Sequence, residues 1–338
     1  MIETILPMDA TELQLSFFKH LKERIAANIS FVDEIAELLN VSTDSAYRRI
    51  RAEKTIDFNE LKILCRHFEV SLDKFFLLNN DALLFSGKYI NREYFDFENH
   101  LKGMVEQLQY FNTYNEKELF YLNKDVPIFH HFMFPELACF KCYFWCRYNL
   151  NYPQFNKGKF LIDNFIEMFN IWGKRISDLY IQIPSTEVWN LDCINTTIRQ
   201  IDYYRDSKIF ASHDDIVTVY DCLYKLVDHI ESQVEYGVKF QYNTSPENST
   251  VRYRVFINEF ILGDNTVIIK LDNDKIVSLN HNVINYVMTR NEKFVDYTYQ
   301  TLQTILKKST LISEIGEKDR QLFFDTLRER IHEKRKLL

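Results

Sequence analysis

The sequence predicts a mainly α chain: five short helices in an N-terminal domain over residues 1–80, then over 81–338 a larger helical domain with a small antiparallel sheet at about 251–280. Three observations lead there. Glycine and proline number only 7 and 6 in 338 residues, too few for the turns of an all-β fold. Apolar residues recur at steps of three and four along most of the chain. Only after Tyr242 do short extended runs, separated by Gly263-Asp264-Asn265 and Asp272-Asn273-Asp274, replace that rhythm.

The N-terminal helices follow in order. Leu13, Phe17, Leu21 and Ile25 share one face of the first. Ser30 is placed to cap the second, whose apolar side is Val32, Ile35, Ala36 and Leu39. Ser42 caps a third, reaching about Ala52. Asp57 caps a fourth containing Phe58, Leu61, Leu64 and Phe68, and Ser71 opens a fifth with Leu72, Phe75 and Phe76.

Asn79-Asn80-Asp81 and Ser86-Gly87 break the chain. A long helix is expected from Arg92 to Asn115. Its Tyr94, Phe97, Leu101, Met104, Leu108 and Phe111 form a seam that suits either a coiled coil or packing inside its own domain. Aromatic-rich helices are expected at 135–149, 159–182, 186–207 and 213–236, the last stopped by Gly237. Strands are expected at 251–262, 266–271 and 276–279, with helices at 282–308 and 316–335.

Composition narrows function. A hydrophobic share of 46% and an aromatic share of 15% are ample for packed cores. No run of about eighteen apolar residues occurs, so no membrane span is expected. The stretch from Met1 to Glu12 carries acids and lacks the basic-then-apolar pattern of an export leader, and six cysteines without such a leader read as reduced thiols; a cytoplasmic location is expected. The net charge is −7, and residues 12–74 hold ten Lys/Arg against eleven Asp/Glu. Nucleic-acid binding by bulk charge is thereby excluded, and any such binding must rest on where cations sit.

The informative stretch runs from Phe31 to Arg51. Two helices joined by a three-residue turn need a small residue where they cross, here Ala36. The turn needs a residue tolerant of positive φ, here Asn40. Val41 fills the corner, and Ala46 and Ile50, four apart, point inward. The opposite face of the third helix then carries Thr43, Asp44, Tyr47, Arg48 and Arg51, with Lys54 just beyond. Hydroxyl and guanidinium groups suit base edges, and the remaining cations suit phosphates.

From Leu15 to Phe76 these residues resemble the XRE family of Cro/repressor-like helix-turn-helix transcriptional regulators. Ile35-Ala36, Val41-Ser42, Arg48, Leu61 and Val70-Ser71-Leu72 carry the likeness. The resemblance implies a five-helix DNA-binding domain that inserts its third helix in the major groove. By position it places base reading on Thr43, Asp44 and Tyr47, joined by Arg48, and backbone contact on Arg51 and Lys54. Asn40 and Ala52 depart from it, standing where the family has glycine. Arg49 stands where the family has an apolar residue and is expected to carry its head out to water or DNA. Asp44 is repelled by phosphate unless it accepts from cytosine N4 or pairs with Arg48.

The expected partners are double-stranded DNA and a second copy of the chain in a homodimer, since one module reads only a few base pairs. The C-terminal domain then serves dimerisation and the sensing of a small-molecule or peptide effector. A peptide- or protein-binding receptor built on the helical region is the alternative. Cys139, Cys142 and Cys146, with His130 and His131 near, admit a thiol or metal sensor, but their spacing is also that of one buried helical face. Ser212-His213-Asp214-Asp215 reads as a capped helix start. The basic tail, Arg328, Arg330, Lys334, Arg335 and Lys336, reads as a solvated helix end, with contact to DNA phosphates in a dimer as the alternative. No glycine-rich phosphate loop, nucleophile elbow or zinc-protease helix occurs, so neither an enzyme nor a cofactor is expected.

Overall fold

The computed structural model describes residues 9–22, 24–25, 30–68, 70–76, 83–87, 93–260, 265–282 and 284–338. The breaks expected at Asn79–Asp81 and at Gly263–Asp264 lie outside them. The chain divides into two compact units, Met1–Ala82 and Leu83–Leu338.

The first unit contains α1 (Ala10–Lys22), α2 (Phe31–Leu39), α3 (Thr43–Ile50), α4 (Phe58–His67) and α5 (Leu72–Phe75). Phe17, Phe18 and Leu21 of α1 meet Ile35 and Ala36 of α2, Ala46 of α3 and Leu64 of α4 in one core. Start signals explain two of the boundaries. The Ser42 hydroxyl accepts from Ser45 N, and Asp57 with Glu60 forms a reciprocal capping box. Ser30 precedes α2 without a side-chain cap bond. Phe58 does not belong to the core: it is 91% exposed at the first position of α4.

The second unit is built on one eight-stranded mixed sheet: β1 (Ser86–Gly87), β2 (Lys117–Leu122), β3 (Ser185–Trp189), β4 (Tyr253–Ile257), β5 (Thr266–Leu271), β6 (Asp274–Asn282), β7 (Asn285–Thr289) and β8 (Thr310–Leu311), in the order β1-β7-β6-β5-β2-β3-β4-β8. β2, β3 and β4 run parallel, and the other pairings are antiparallel. Parallel neighbours require long crossovers. These carry α7 (Ile128–His131), α8 (Pro135–Phe144), α9 (Pro153–Asn156), α10 (Ile166–Met168) and α11 (Lys174–Tyr180) between β2 and β3, and α12 (Asn195–Asp206) and α13 (His213–Tyr236) between β3 and β4. α6 (Phe97–Asn112) precedes β2, α14 (Glu292–Lys307) follows β7, and α15 (Glu317–Arg335) ends the unit.

The sheet has a core on each face. Leu119, Tyr121, Trp189, Tyr253, Val255, Ile269 and Leu271 pack with α6, α8, α12, α13 and α15. Their neighbours Phe120, Val188, Phe256, Ile268 and Val277 pack with Val295 and Leu302 of α14.

This architecture corrects the expectation of a mainly helical second domain with a small antiparallel sheet at about 251–280. The sheet begins at Ser86 and ends at Leu311, and three of its neighbouring strands, β2, β3 and β4, are parallel. β2 carried no strand signal, and four of the five residues of β3 fell inside the helix expected at 186–207. Every residue of β3 is buried, and a strand covered on both faces has no polar–apolar alternation to display. β7 likewise fell in the helix expected at 282–308. The helix expected at 159–182 is interrupted, with a π-helical turn at Phe169–Gly173 between α10 and α11. Of the expected seam, Phe97, Leu101, Leu108 and Phe111 are buried inside this unit, Met104 is half-buried, and Tyr94 lies before α6 and is exposed.

Of the basic tail, Lys336 is exposed and Lys334 and Arg335 keep 44% and 43% of their side chains open to solvent, as a solvated helix end requires, yet most of its cations are also paired. Arg328 pairs with Asp228, Glu231 and Asp325, Lys334 with Asp202 at 3.2 Å and Arg335 with Asp221 at 2.7 Å, fastening α15 to acids of α12 and α13. At the start of α13, Ser212 caps by accepting from Asp214 N. At its end Gly237 takes φ 67°, and a Cβ there would collide with the Glu314 side chain.

Candidate nucleic-acid interface

Two closing turns set the pose of α3. After α2, Asn40 adopts φ 51° and Val41 N donates to Ala36 O at 2.9 Å. After α3, Ala52 adopts φ 59° and Glu53 N donates to Arg48 O at 2.8 Å. Both use a left-handed residue to return the chain and satisfy the last carbonyls. Asn40 and Ala52 thus perform the turn for which glycine is the ordinary choice.

With Ala46 fully buried and Ile50 half-buried, α3 turns its other side outward. Thr43, Asp44, Tyr47, Arg48, Arg51 and Lys54 are all exposed. Thr43 and Asp44 occupy the first turn, where backbone N–H groups and the helix dipole favour negative charge. Arg51 caps the C-terminal end; its guanidinium lies 5.2 Å from the Tyr47 ring centre and 3.9 Å from Glu53. Among the described residues Asp44, Arg48 and Lys54 make no ion pair. All six predicted residues therefore lie on one side of α3 and the turn after it.

Arg49 corrects the sequence reading. It does not reach water but is 3% exposed. Its Nε donates to both Glu60 oxygens at 3.0 and 3.1 Å, and its Nη1 donates to the Ser45 hydroxyl at 2.6 Å. The hydrogen bond that the guanidinium donates to Glu60 holds it above its ordinary pKa against the opposing effect of burial. A two-point pair of this kind fixes α3 against α4.

Sequence reasoning also missed Gln14. This buried side chain of α1 donates from Nε2 to the carbonyls of Arg49 and Lys54 at 2.7 and 2.8 Å, and its Oε1 accepts from Ile56 N at 3.2 Å. The signal for it was faint: one polar residue between Leu13 and Phe17 on the inward side of α1.

The second unit holds a polar cluster that the misread β3 concealed. Glu187 is fully buried. Oε1 accepts from Tyr180 at 3.0 Å and Ser185 at 3.1 Å and lies 3.2 Å from His130 Nε2; Oε2 accepts from Trp189 Nε1 at 2.8 Å and Tyr253 at 3.1 Å. Burial raises the carboxyl pKa, but His130, Lys239 and the Trp189 hydrogen bond outweigh it and hold the group at about 2. Lys239, 1% exposed, sets its ammonium 3.6 Å from the Tyr180 ring centre. Burial brings that ammonium down to about 7 despite Glu187 and Glu118.

Cys139, Cys142 and Cys146 are buried on one face, as their spacing implied. Burial raises all three thiols, Cys142 to about 12. Among the described residues no group of three His, Cys, Asp or Glu side chains could hold a metal ion, and no helix is long and apolar enough to cross a membrane. No family model, curated protein or solved structure matches the chain.

Proposed function

We propose that this chain is a non-enzymatic, sequence-specific regulator that binds double-stranded DNA as a homodimer and reads its operator with α3. One observation carries the reading: α3 buries Ala46 and Arg49 while presenting Thr43, Asp44, Tyr47 and Arg48 outward, with the exposed cations Arg51 and Lys54 on the same side at and beyond its C-terminal end. A short helix with polar and guanidinium groups on its free side and cations beside it suits the major groove. The XRE-like stretch supports the same assignment. Asp44, with no ion pair to Arg48 among the described residues, fits cytosine N4 better than a phosphate.

Selection of bound duplexes from a randomised pool, followed by footprinting, tests this. Thr43→Ala and Arg48→Ala should each weaken the selected site by about 1–3 kcal/mol and leave random DNA nearly unchanged. Lys54→Ala should weaken all sequences alike and reduce the salt slope by about 0.9. Wild-type affinity in all three variants would remove α3 as the reader.

A receptor role for the second unit has one observation in its favour. A surface cavity of about 330 Å³ is lined by Arg252, Arg254, Ser313 and Glu314. Arg252 is paired there with Glu118 at 2.9 Å and Arg254 lies over the Phe256 ring, so a carboxylate- or phosphate-bearing effector would have to compete with Glu118 for Arg252. Titration of the full chain with inorganic phosphate and with a short peptide, read by calorimetry, separates an effector site from a purely structural domain.

A further inference from the structure

Between α3 and α4 the chain runs from Arg51 to Asp57 without regular structure, yet its polar groups are tied down. Glu53 N and Lys54 N both donate to Arg48 O, at 2.8 and 3.1 Å. The Lys54 carbonyl and Ile56 N, on either side of Thr55, are both taken by Gln14. Gln14 also holds the Arg49 carbonyl in the last turn of α3. One buried amide on α1 thus ties the end of α3 to two points of the following turn, using its donor nitrogen twice and its acceptor oxygen once. An apolar residue of the same size would fill the space and leave three backbone groups without these partners.

What this turn presents is Lys54, exposed and with no ion pair among the described residues. A lysine on a loose turn loses conformational freedom when it meets a phosphate; one whose own carbonyl is fixed loses less. We propose that Gln14 is a positioning residue for DNA binding, holding the α3–α4 turn so that Lys54 meets the phosphate backbone. The inference rests on the DNA-binding reading above and assigns Gln14 no contact with DNA.

A double-mutant cycle on the full chain tests it, with a random-sequence duplex as probe and anisotropy titrations at several salt concentrations. Gln14→Met keeps the side-chain volume and removes all three hydrogen bonds. If Gln14 acts through Lys54, Gln14→Met should weaken binding several-fold and lower the salt slope toward that of Lys54→Ala. Adding Gln14→Met to Lys54→Ala should then change little further. A residue that only stabilises the fold behaves otherwise: its effect repeats undiminished in the Lys54→Ala background, and the slope stays at the wild-type value. That result overturns the proposal. Circular dichroism at each titration temperature confirms that the chains are folded. If Gln14→Met does not fold, Gln14→Asn, which retains the amide but is one methylene short, takes its place in the same cycle. A wild-type chain that binds no duplex overturns the DNA reading itself, whereas additive effects with wild-type binding intact overturn only the role of Gln14.

Discussion

Replacing Glu187 by glutamine preserves volume at the centre of the second unit and removes the charge on which five side chains converge. Whichever way the new amide turns, its NH₂ replaces an oxygen that now accepts. In the milder orientation it takes the place of Oε2, and the bonds from Trp189 at 2.8 Å and Tyr253 at 3.1 Å are lost. Hydrogen bonds to a charged group contribute about 1.5–3 kcal/mol each, so the loss is about 3–6 kcal/mol. Relief from burying a carboxylate offsets part of it, and a net destabilisation of about 3 kcal/mol is expected. All three tryptophans, Trp145, Trp172 and Trp189, belong to the second unit, so tryptophan fluorescence in a urea titration reports that unit alone. pH gives an independent check. The folded carboxyl sits at about 2, below its unfolded value of about 4.3. Its stabilisation is therefore fully present above the unfolded value and is lost as pH falls through the folded one. The gap between wild type and Glu187→Gln should narrow as pH falls from about 5 toward 2. A variant that unfolds within about 0.5 kcal/mol of wild type at pH 7, a margin ordinary for surface changes, would refute the view that this carboxylate organises the sheet centre.

Three further outcomes follow from named contacts. Lys239, held at about 7 in the fold against about 10.4 when unfolded, destabilises the fold below pH 7 and stops doing so as pH rises toward 10; urea titrations across that range should show stability rising by a few kcal/mol, and Lys239→Met should reduce the rise, the remainder coming from Lys141, which burial brings down to about 8. Ala52 holds a left-handed φ of 59° at a cost of about 1–2 kcal/mol; Ala52→Gly should stabilise the first unit by about 0.5–1 kcal/mol after the added chain entropy of glycine, measured by thermal melting, and a loss of stability would contradict the turn geometry. Five of the six thiols are buried and only Cys65 is partly exposed, so a disulfide reagent at pH 8 should modify about one thiol per folded chain and six on unfolding, while prompt reaction of Cys139, Cys142 or Cys146 would contradict their burial.

The sequence by itself determined the first unit because its instructions are local. Capping residues at Ser42 and Asp57, a small residue at Ala36, a left-handed turn at Asn40 and a four-residue step from Ala46 to Ile50 each act within one or two helical turns. Together they place Thr43, Asp44, Tyr47, Arg48, Arg51 and Lys54 on one exposed side. Tertiary structure alone decided what lies beneath that side. Arg49 reads as surface until Glu60, eleven residues on, folds against it, and Gln14 has no visible task until the turn forty residues away arrives. The same limit applies more strongly to the second unit. α13 is legible from its Ser212 cap and Gly237 stop, whereas β2 and β3 pair across sixty-odd residues of helical crossover and are covered on both faces. A strand in that position needs neither alternation nor nearby turns, and a carboxylate such as Glu187 is stable in it only because Tyr180, Trp189, Tyr253 and His130 converge on it from four separate elements. Local periodicity cannot encode such a meeting; only the packed sheet brings those donors together.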